Sequence, residues 1–242
     1  MIKHIFAGAL VALTFCCEFA SAAEPARLPD GETAVWRGYN AWLTLPTTRY
    51  DHGVLGDAIE AGGFAIRTPQ DRLLHYVLPL DAVFEDRRVR LHDFDGDGVP
   101  EAVVIKSYLR RGAAVAVYRI VGSRIAPLIE GPAIGRSHRW LNVIGIADFD
   151  GDGRADIAYA QTPHLAGIVR VFAFTGKSLK EAGRLSGYTN HAIGSRNLDE
   201  ARVLPRKGGG ADIEIPVIGR GAIAVLGFRK GRFVEVSRRP AR

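Results

Sequence analysis

One nine-residue pattern occurs twice in this 242-residue chain, and it limits the fold more than any other feature. Asp93-Phe94-Asp95-Gly96-Asp97-Gly98-Val99-Pro100-Glu101 leads into the strand formers Ala102-Val103-Val104-Ile105. Asp148-Phe149-Asp150-Gly151-Asp152-Gly153-Arg154-Ala155-Asp156 lies 55 residues further on and leads into Ile157-Ala158-Tyr159-Ala160. A weaker copy sits at Gly209–Ile215 and a fourth trace at Gly56–Glu60. Self-similarity at this period is the mark of a solenoid, propeller or array. Four units of about 55 residues account for most of the chain.

The residues between the loops read as strands. Apolar and β-branched runs such as Ala113–Ile120, Val143–Phe149, Ile168–Phe174 and Ala222–Phe228 are cut by Gly, Pro and Asn turns. No capped helical stripe interrupts them. Each unit is expected to be four antiparallel strands, A to D, with the aspartate loop joining A to B. One such sheet cannot bury its faces alone, so units must stack, and radial stacking protects the sheet edges. The expected fold is therefore all-β: a small β-propeller of about four four-stranded blades, or an incomplete one that closes by dimerisation.

The loops carry hard-oxygen chemistry. Carboxylates at loop positions 1, 3, 5 and 9, with the carbonyl of position 7, can converge on one cation of the Ca²⁺ type. The first loop offers Asp93, Asp95, Asp97, the carbonyl of Val99, and Glu101; the second offers Asp148, Asp150, Asp152, the carbonyl of Arg154, and Asp156. Two Ca²⁺ ions are expected. An EF-hand would need Glu at position 12 and flanking helices, but Val104 and Tyr159 stand there, among strand formers. The outer copies have lost the ligands: positions 1, 3 and 5 are Leu204, Arg206 and Gly208 in the last and Arg49, Asp51 and Gly53 in the first. Each keeps an Arg, whose guanidinium is expected to replace the ion.

Segments Asp93–Ile105 and Asp148–Ala160 resemble FG-GAP/VCBS repeats, the calcium-loop repeats of integrin-α-type β-propellers and of many exported bacterial proteins. The resemblance implies a propeller and a ligand role for the nine matched positions of each loop. Propellers of that type usually have seven blades, whereas this chain has room for about four, so adhesion does not carry over.

Composition narrows the setting. All the sulfur lies at Met1, Cys16 and Cys17, which excludes disulfides, thiolate zinc and a cysteine nucleophile from residue 18 onward. Residues 1–22 read as a signal peptide: Lys3 and His4, an apolar run from Ile5 to Cys17, then Ala20-Ser21-Ala22. A lipoprotein signal is the rival, with Leu13 three residues before Cys16, but Phe15 is bulky for that motif. The domain is expected to span 23–242 and to be periplasmic or secreted, with no transmembrane segment after signal removal. The formal net charge is +6, and the excess falls in the C-terminal stretch from Ala201. That region is a candidate contact for anionic surfaces, or a solvated face. Nucleic acid is not expected, since no basic stretch is interleaved with stacking aromatics.

Strands alternate in direction, so A–B and C–D connections share one rim and B–C and D–A the other. His138, His164 and His191 are thereby expected opposite the calcium loops, with Arg136, Arg139 and Asn190 as a candidate ligand rim. Glu85, Asp86 and Arg196 could join them. His52, His75 and His92 are read as structural, with His52 at the calcium end. The chain contains no nucleophile elbow, Walker loop or dinucleotide fingerprint. The expected role is a calcium-binding, non-catalytic module for an unidentified protein or glycan. The alternative is a hydrolase or lyase with its site on the His-bearing rim.

Overall fold

In a computed structural model, residues 24–241 are described; the expected signal peptide at 1–22 lies outside them. Regular structure among the described residues is β throughout, and no helix is long and apolar enough to cross a membrane. Every strand pairing is antiparallel.

Four four-stranded sheets follow one another along the chain. The first holds β1 (Ala34–Trp36), β2 (Tyr39–Thr47), β3 (Glu60–Arg67) and β4 (Leu73–Val77). In the second, the innermost strand is split into β5 (Ala82–Phe84) and β6 (Arg90–His92), both pairing with β7 (Glu101–Tyr108); β8 (Gly112–Val121) and β9 (Arg124–Glu130) complete it. The third runs β10 (Leu141–Ala147), β11 (Asp156–Gln161), β12 (Ile168–Phe174), β13 (Leu179–Ser186). The fourth runs β14 (Arg202–Pro205), β15 (Ala211–Pro216), β16 (Ala222–Arg229), β17 (Arg232–Pro240). One bridge, Ala61 to Phe84, splices the first two sheets edge to edge.

The second strands of the two middle blades, β7 and β11, are buried on both faces, which is why Ala102–Ile105 and Ile157–Ala160 read as unbroken apolar runs. Their side chains alternate between two interfaces. Val104 and Ala102 face the first blade, beside Phe64, Phe84 and Tyr118; Val103 and Ile105 face the third, beside Trp140, Leu141 and Ile157. A further core, with Val169, Val171, Ile213 and Leu226, joins the third blade to the fourth. Three cores thus link four blades in series. No fourth core joins the last blade to the first among the described residues, so the propeller is incomplete. The long connection after β13 instead crosses to the first two blades. There Arg196 pairs with Asp30 (2.7 Å) and Asp57 (2.8 Å), Gly194 donates its N–H to the Val54 carbonyl (3.0 Å), and Arg88 pairs with Asp199.

The first blade corrects the expected frame. Its A–B connection is the two-residue turn Arg37-Gly38, both at positive φ (43° and 86°), as a tight hairpin requires. The segment between β2 and β3, which was expected to be a degenerate calcium loop, is therefore a B–C connection. It lies at the opposite rim and carries Arg49, Asp51, His52, Gly53 and Asp57 there. Thr47 pairs with Glu60, so no A–B loop forms in this stretch.

Candidate metal and ligand sites

The two aspartate loops share one hydrogen-bond pattern, to which the second adds the Asp150 N–H donated to Asp156 (3.3 Å). Asp93 accepts the N–H groups of Gly96 (2.7 Å) and Gly98 (3.0 Å); Asp148 accepts those of Gly151 (2.6 Å) and Gly153 (3.1 Å). Asp95 and Asp150 each accept the amide two residues on, as do Asp97 and Asp152. These side-chain turns dictate the loop locally. Gly98 and Gly153 sit at φ 84° and 86°, where a side chain would be strained.

Position 9 opens the second strand and closes the loop. Glu101 accepts the Phe94 N–H (3.0 Å) and Asp156 that of Phe149 (2.9 Å), and both carboxylates are buried. Each loop gathers a triad whose oxygens lie within 4.8 Å of one another: Asp93, Asp95, Glu101 and Asp148, Asp150, Asp156. The expected ligands Asp97 and Asp152 stand outside the triads, held by the amides of Val99 (2.7 Å) and Arg154 (2.8 Å). Burial, reinforced by Asp95 and Asp97, pushes Glu101 above the usual carboxylate range. Burial with Asp150 and Asp152 pushes Asp156 up to about 6. The loops hold charge that a cation would neutralise, and oxygen-only donors suit a hard divalent ion. A cleft of about 610 Å³ opens beside the second loop between Asp152, Phe174 and Phe228.

The fourth blade solves the same problem without an ion. Asp212 is the second residue of β15, one place further in than Glu101 and Asp156, which open β7 and β11. Its carboxylate is held by Arg229 (2.7 Å) and by Arg206 (3.1 Å). Burial pushes Asp212 up, but the two guanidinium groups outweigh it and hold the acid below its ordinary range. In the first blade Arg49 has no such role. Its guanidinium donates to the carbonyls of Ala82 (2.5 Å) and Pro79 (3.5 Å), at the far rim.

That far rim carries a cavity of about 150 Å³ walled by His52, His138, Arg139, Trp140 and His164, with Leu165 and Ile193 at its edge. His52 is thus not at the calcium end: the β2–β3 connection delivers it here, and the Arg37-Gly38 turn that shifts the frame was the missed signal. His52 Nδ1 meets the buried Glu85 carboxyl at 2.6 Å, and Ser107 donates to the other Glu85 oxygen. The ring of His138 stacks on that of Tyr50 (5.1 Å between centroids), the His138 backbone N–H donates to the Tyr50 hydroxyl (2.8 Å), and the ring Nε2 meets Asp51 at 2.7 Å. His191 is buried behind His164, Nδ1 to Nε2 at 2.9 Å.

Other expected members have structural partners. Asn190 is buried and donates to the Asn142 carbonyl (3.3 Å), locking two connections together. Arg136 is exposed and outside the cavity wall. Asp86 is taken by Arg90 (2.6 Å) and the Ile105 amide (3.1 Å), and Arg196 by Asp30 and Asp57. Trp140 is core, with its Nε1–H donated to the Glu85 carbonyl (2.9 Å). His75 bonds Thr44 (2.9 Å) and His92 packs on Phe94. In the basic C-terminal stretch, Arg206, Arg220, Arg229, Arg238 and Arg239 are each paired with a carboxylate.

Against known families, residues 93–159 match the FG-GAP-like repeat. The match spans both aspartate loops and the strands β7 to β10 between them. No curated protein matches the chain.

Proposed function

We propose that this chain, whose residues 93–159 are an FG-GAP-like repeat, is an exported, periplasmic or secreted calcium-binding propeller that acts as a non-catalytic binding module for a protein or glycan. The pair of near-identical loops carries the reading. Each brings three carboxylates together at the mouth of a blade, and each is followed by a strand buried on both faces. Calcium bound there ties the loop to the core strand through Glu101 or Asp156, so the ion supports the two middle blades. The opposite rim is left free to meet a partner.

Calorimetry of the chelator-stripped protein is expected to count two calcium sites, because Arg206 and Arg229 fill the third position and the first blade has no loop. Saturation at about 100 times Kd adds roughly 2.7 kcal/mol per site. Chelation should therefore lower Tm by roughly 5–10 °C per site. Four sites, or no shift with chelator, would refute the reading.

A hydrolase or lyase centred on the same rim is the second reading. The observation behind it is two imidazole–carboxylate contacts side by side, His52 with Glu85 and His138 with Asp51, whose rings lie 5.3 Å apart. A joint alanine change at His138, His164 and His191 separates rim function from scaffold. Loss of ligand or activity with calcium-loaded folding intact places the function on the rim; loss of stability alone means those residues are structural.

A further inference from the structure

The rim cavity holds three polar groups with spare hydrogen-bonding capacity, and for His164 the polarity is set by what stands behind it. His191 Nε2 lies 2.8 Å from the Ser195 carbonyl, which can only accept, so the proton is on that nitrogen. Its Nδ1 is then the acceptor for His164 Nε2–H at 2.9 Å. Burial first, then the charges of His191 and His52, hold His164 down at about 4, so it is neutral near pH 7. The relay leaves His164 Nδ1 as a bare acceptor.

His52 Nδ1 shares a short bond with the buried Glu85 carboxyl, so Nε2 is the ring nitrogen left to meet a ligand, and among the described residues no group bonds to it. Arg139 completes the wall. Its guanidinium donates only to the His138 carbonyl (2.9 Å), and no carboxylate pairs with it among the described residues. Arg110, Arg111 and Arg136, on the adjoining connections, likewise lack a carboxylate partner among the described residues. A half-buried wall with one cation, one imidazole acceptor and one further imidazole nitrogen without a protein partner among the described residues matches an anion that also carries a hydroxyl.

We propose that this cavity binds the hydroxy-acid unit of an acidic sugar, the anionic group meeting Arg139 and His52 Nε2 and a hydroxyl donating to His164 Nδ1. The proposal rests on reading the rim as a binding face and gives that face a ligand class. The cavity has room for about one sugar-sized unit. A second hollow of about 390 Å³ adjoins it across His164, Leu165 and Ile193 and ends at Arg220, so a chain of units can continue. The aromatic side chains here are buried, Trp140 at 2% and Tyr50 at 3% exposure. They offer no stacking platform for a neutral sugar, which makes charge the deciding feature.

The test titrates four probes into the calcium-loaded full chain at pH 6.5: an α-1,4-galacturonate tetrasaccharide, a neutral galactose tetrasaccharide, a sulfated disaccharide and an octa-aspartate peptide. The galacturonate or sulfated probe should bind at least tenfold tighter than the neutral sugar, and which of the two is tighter identifies the anion. Arg139→Glu and His164→Ala should each weaken that binding at least tenfold, with melting temperature unchanged. His52→Gln serves as the milder variant, since removing His52 outright uncovers Glu85. Equal binding of neutral and acidic sugars, binding of neither, or binding that survives Arg139→Glu would overturn the proposal. An octa-aspartate affinity matching or exceeding that of the acidic sugars overturns the ligand class and leaves the rim a binding face. Retention of partner binding in the joint alanine variant at His138, His164 and His191 removes the rim reading itself.

Discussion

A carboxylate at the start of a blade's second strand is the residue on which each loop turns, and the environment decides what becomes of its charge. Glu101 and Asp156 share theirs with two loop aspartates and call for a cation. Asp212 receives two guanidinium groups instead. Glu60, which opens β3 at the far rim, has neither. It is 1% exposed and one of its oxygens has no partner. Burial first, then Glu85 and three aspartates, push it up to about 10. The sign follows from linkage: the folded value lies above the unfolded one, so the unfolded chain loses the proton first and stability falls as pH rises from the ordinary glutamate range toward 10. Glu60→Gln keeps the shape and removes the titration. Its Tm should exceed that of the wild type by several degrees at pH 8 and match it near pH 4.5. A variant that melts lower at pH 8 would show that the carboxyl is needed for its own sake.

At the scale of elements, turns decide where chemistry goes. The tight Arg37-Gly38 hairpin uses up the A–B connection of the first blade and so sends the longer 48–59 segment to the far rim. That single choice of turn brings Tyr50, Asp51 and His52 to His138 and His164. In the third blade the connection 162–167 docks on the next one through Gly167, whose φ is 52° and where an added Cβ would stand 1.9 Å from the Tyr188 carbonyl. Gly167→Ala should cost about 2–3 kcal/mol, from overpacking and a strained backbone together, read as a Tm drop of roughly 5–10 °C. Gly122→Ala is the control: φ is 61° but nothing lies within 4 Å, so only the strain of about 1 kcal/mol remains. Equal losses in the two variants would argue against the docking role. The two aspartate loops were legible from sequence because a loop closed by its own side chains needs no distant partner. The His52 position was not, because it depends on which of two connections a hairpin takes.

For the whole molecule, the result is a chain with two unlike ends. One carries the acidic loops of the second and third blades, the other a cavity faced by imidazoles and an arginine with no carboxylate partner among the described residues, and the blades between are joined by three cores in series. The ends should respond differently to pH. Without calcium, burial and neighbouring aspartates hold protons on Asp156 and Glu101 that the unfolded chain has already lost. The chelated protein should therefore lose stability as pH rises from about 4 to 6. Melting curves in a Glu60→Gln background read the loops alone: the chelated form should melt lower at pH 6.5 than at pH 4.5, and calcium should restore more stability at the higher pH. A calcium effect independent of pH would mean that these acids are not its ligands.

The sequence by itself determined the repeated unit, its strands and the local form of the aspartate loops. Those features rest on periodicity, turn residues and side chains bonding to amides two to seven positions away. Tertiary structure alone decided that the first blade runs in a shifted frame, that the ring stays open, and that Glu85 and His52 meet although 33 residues apart. It also decided that Asp97 and Asp152 stand outside the triads and that Asn190 is a lock between connections. The physical reason is the same in each case. A local hydrogen bond is written into the spacing of the residues that make it, whereas a contact between blades depends on how whole sheets pack, and no short stretch of sequence carries that information.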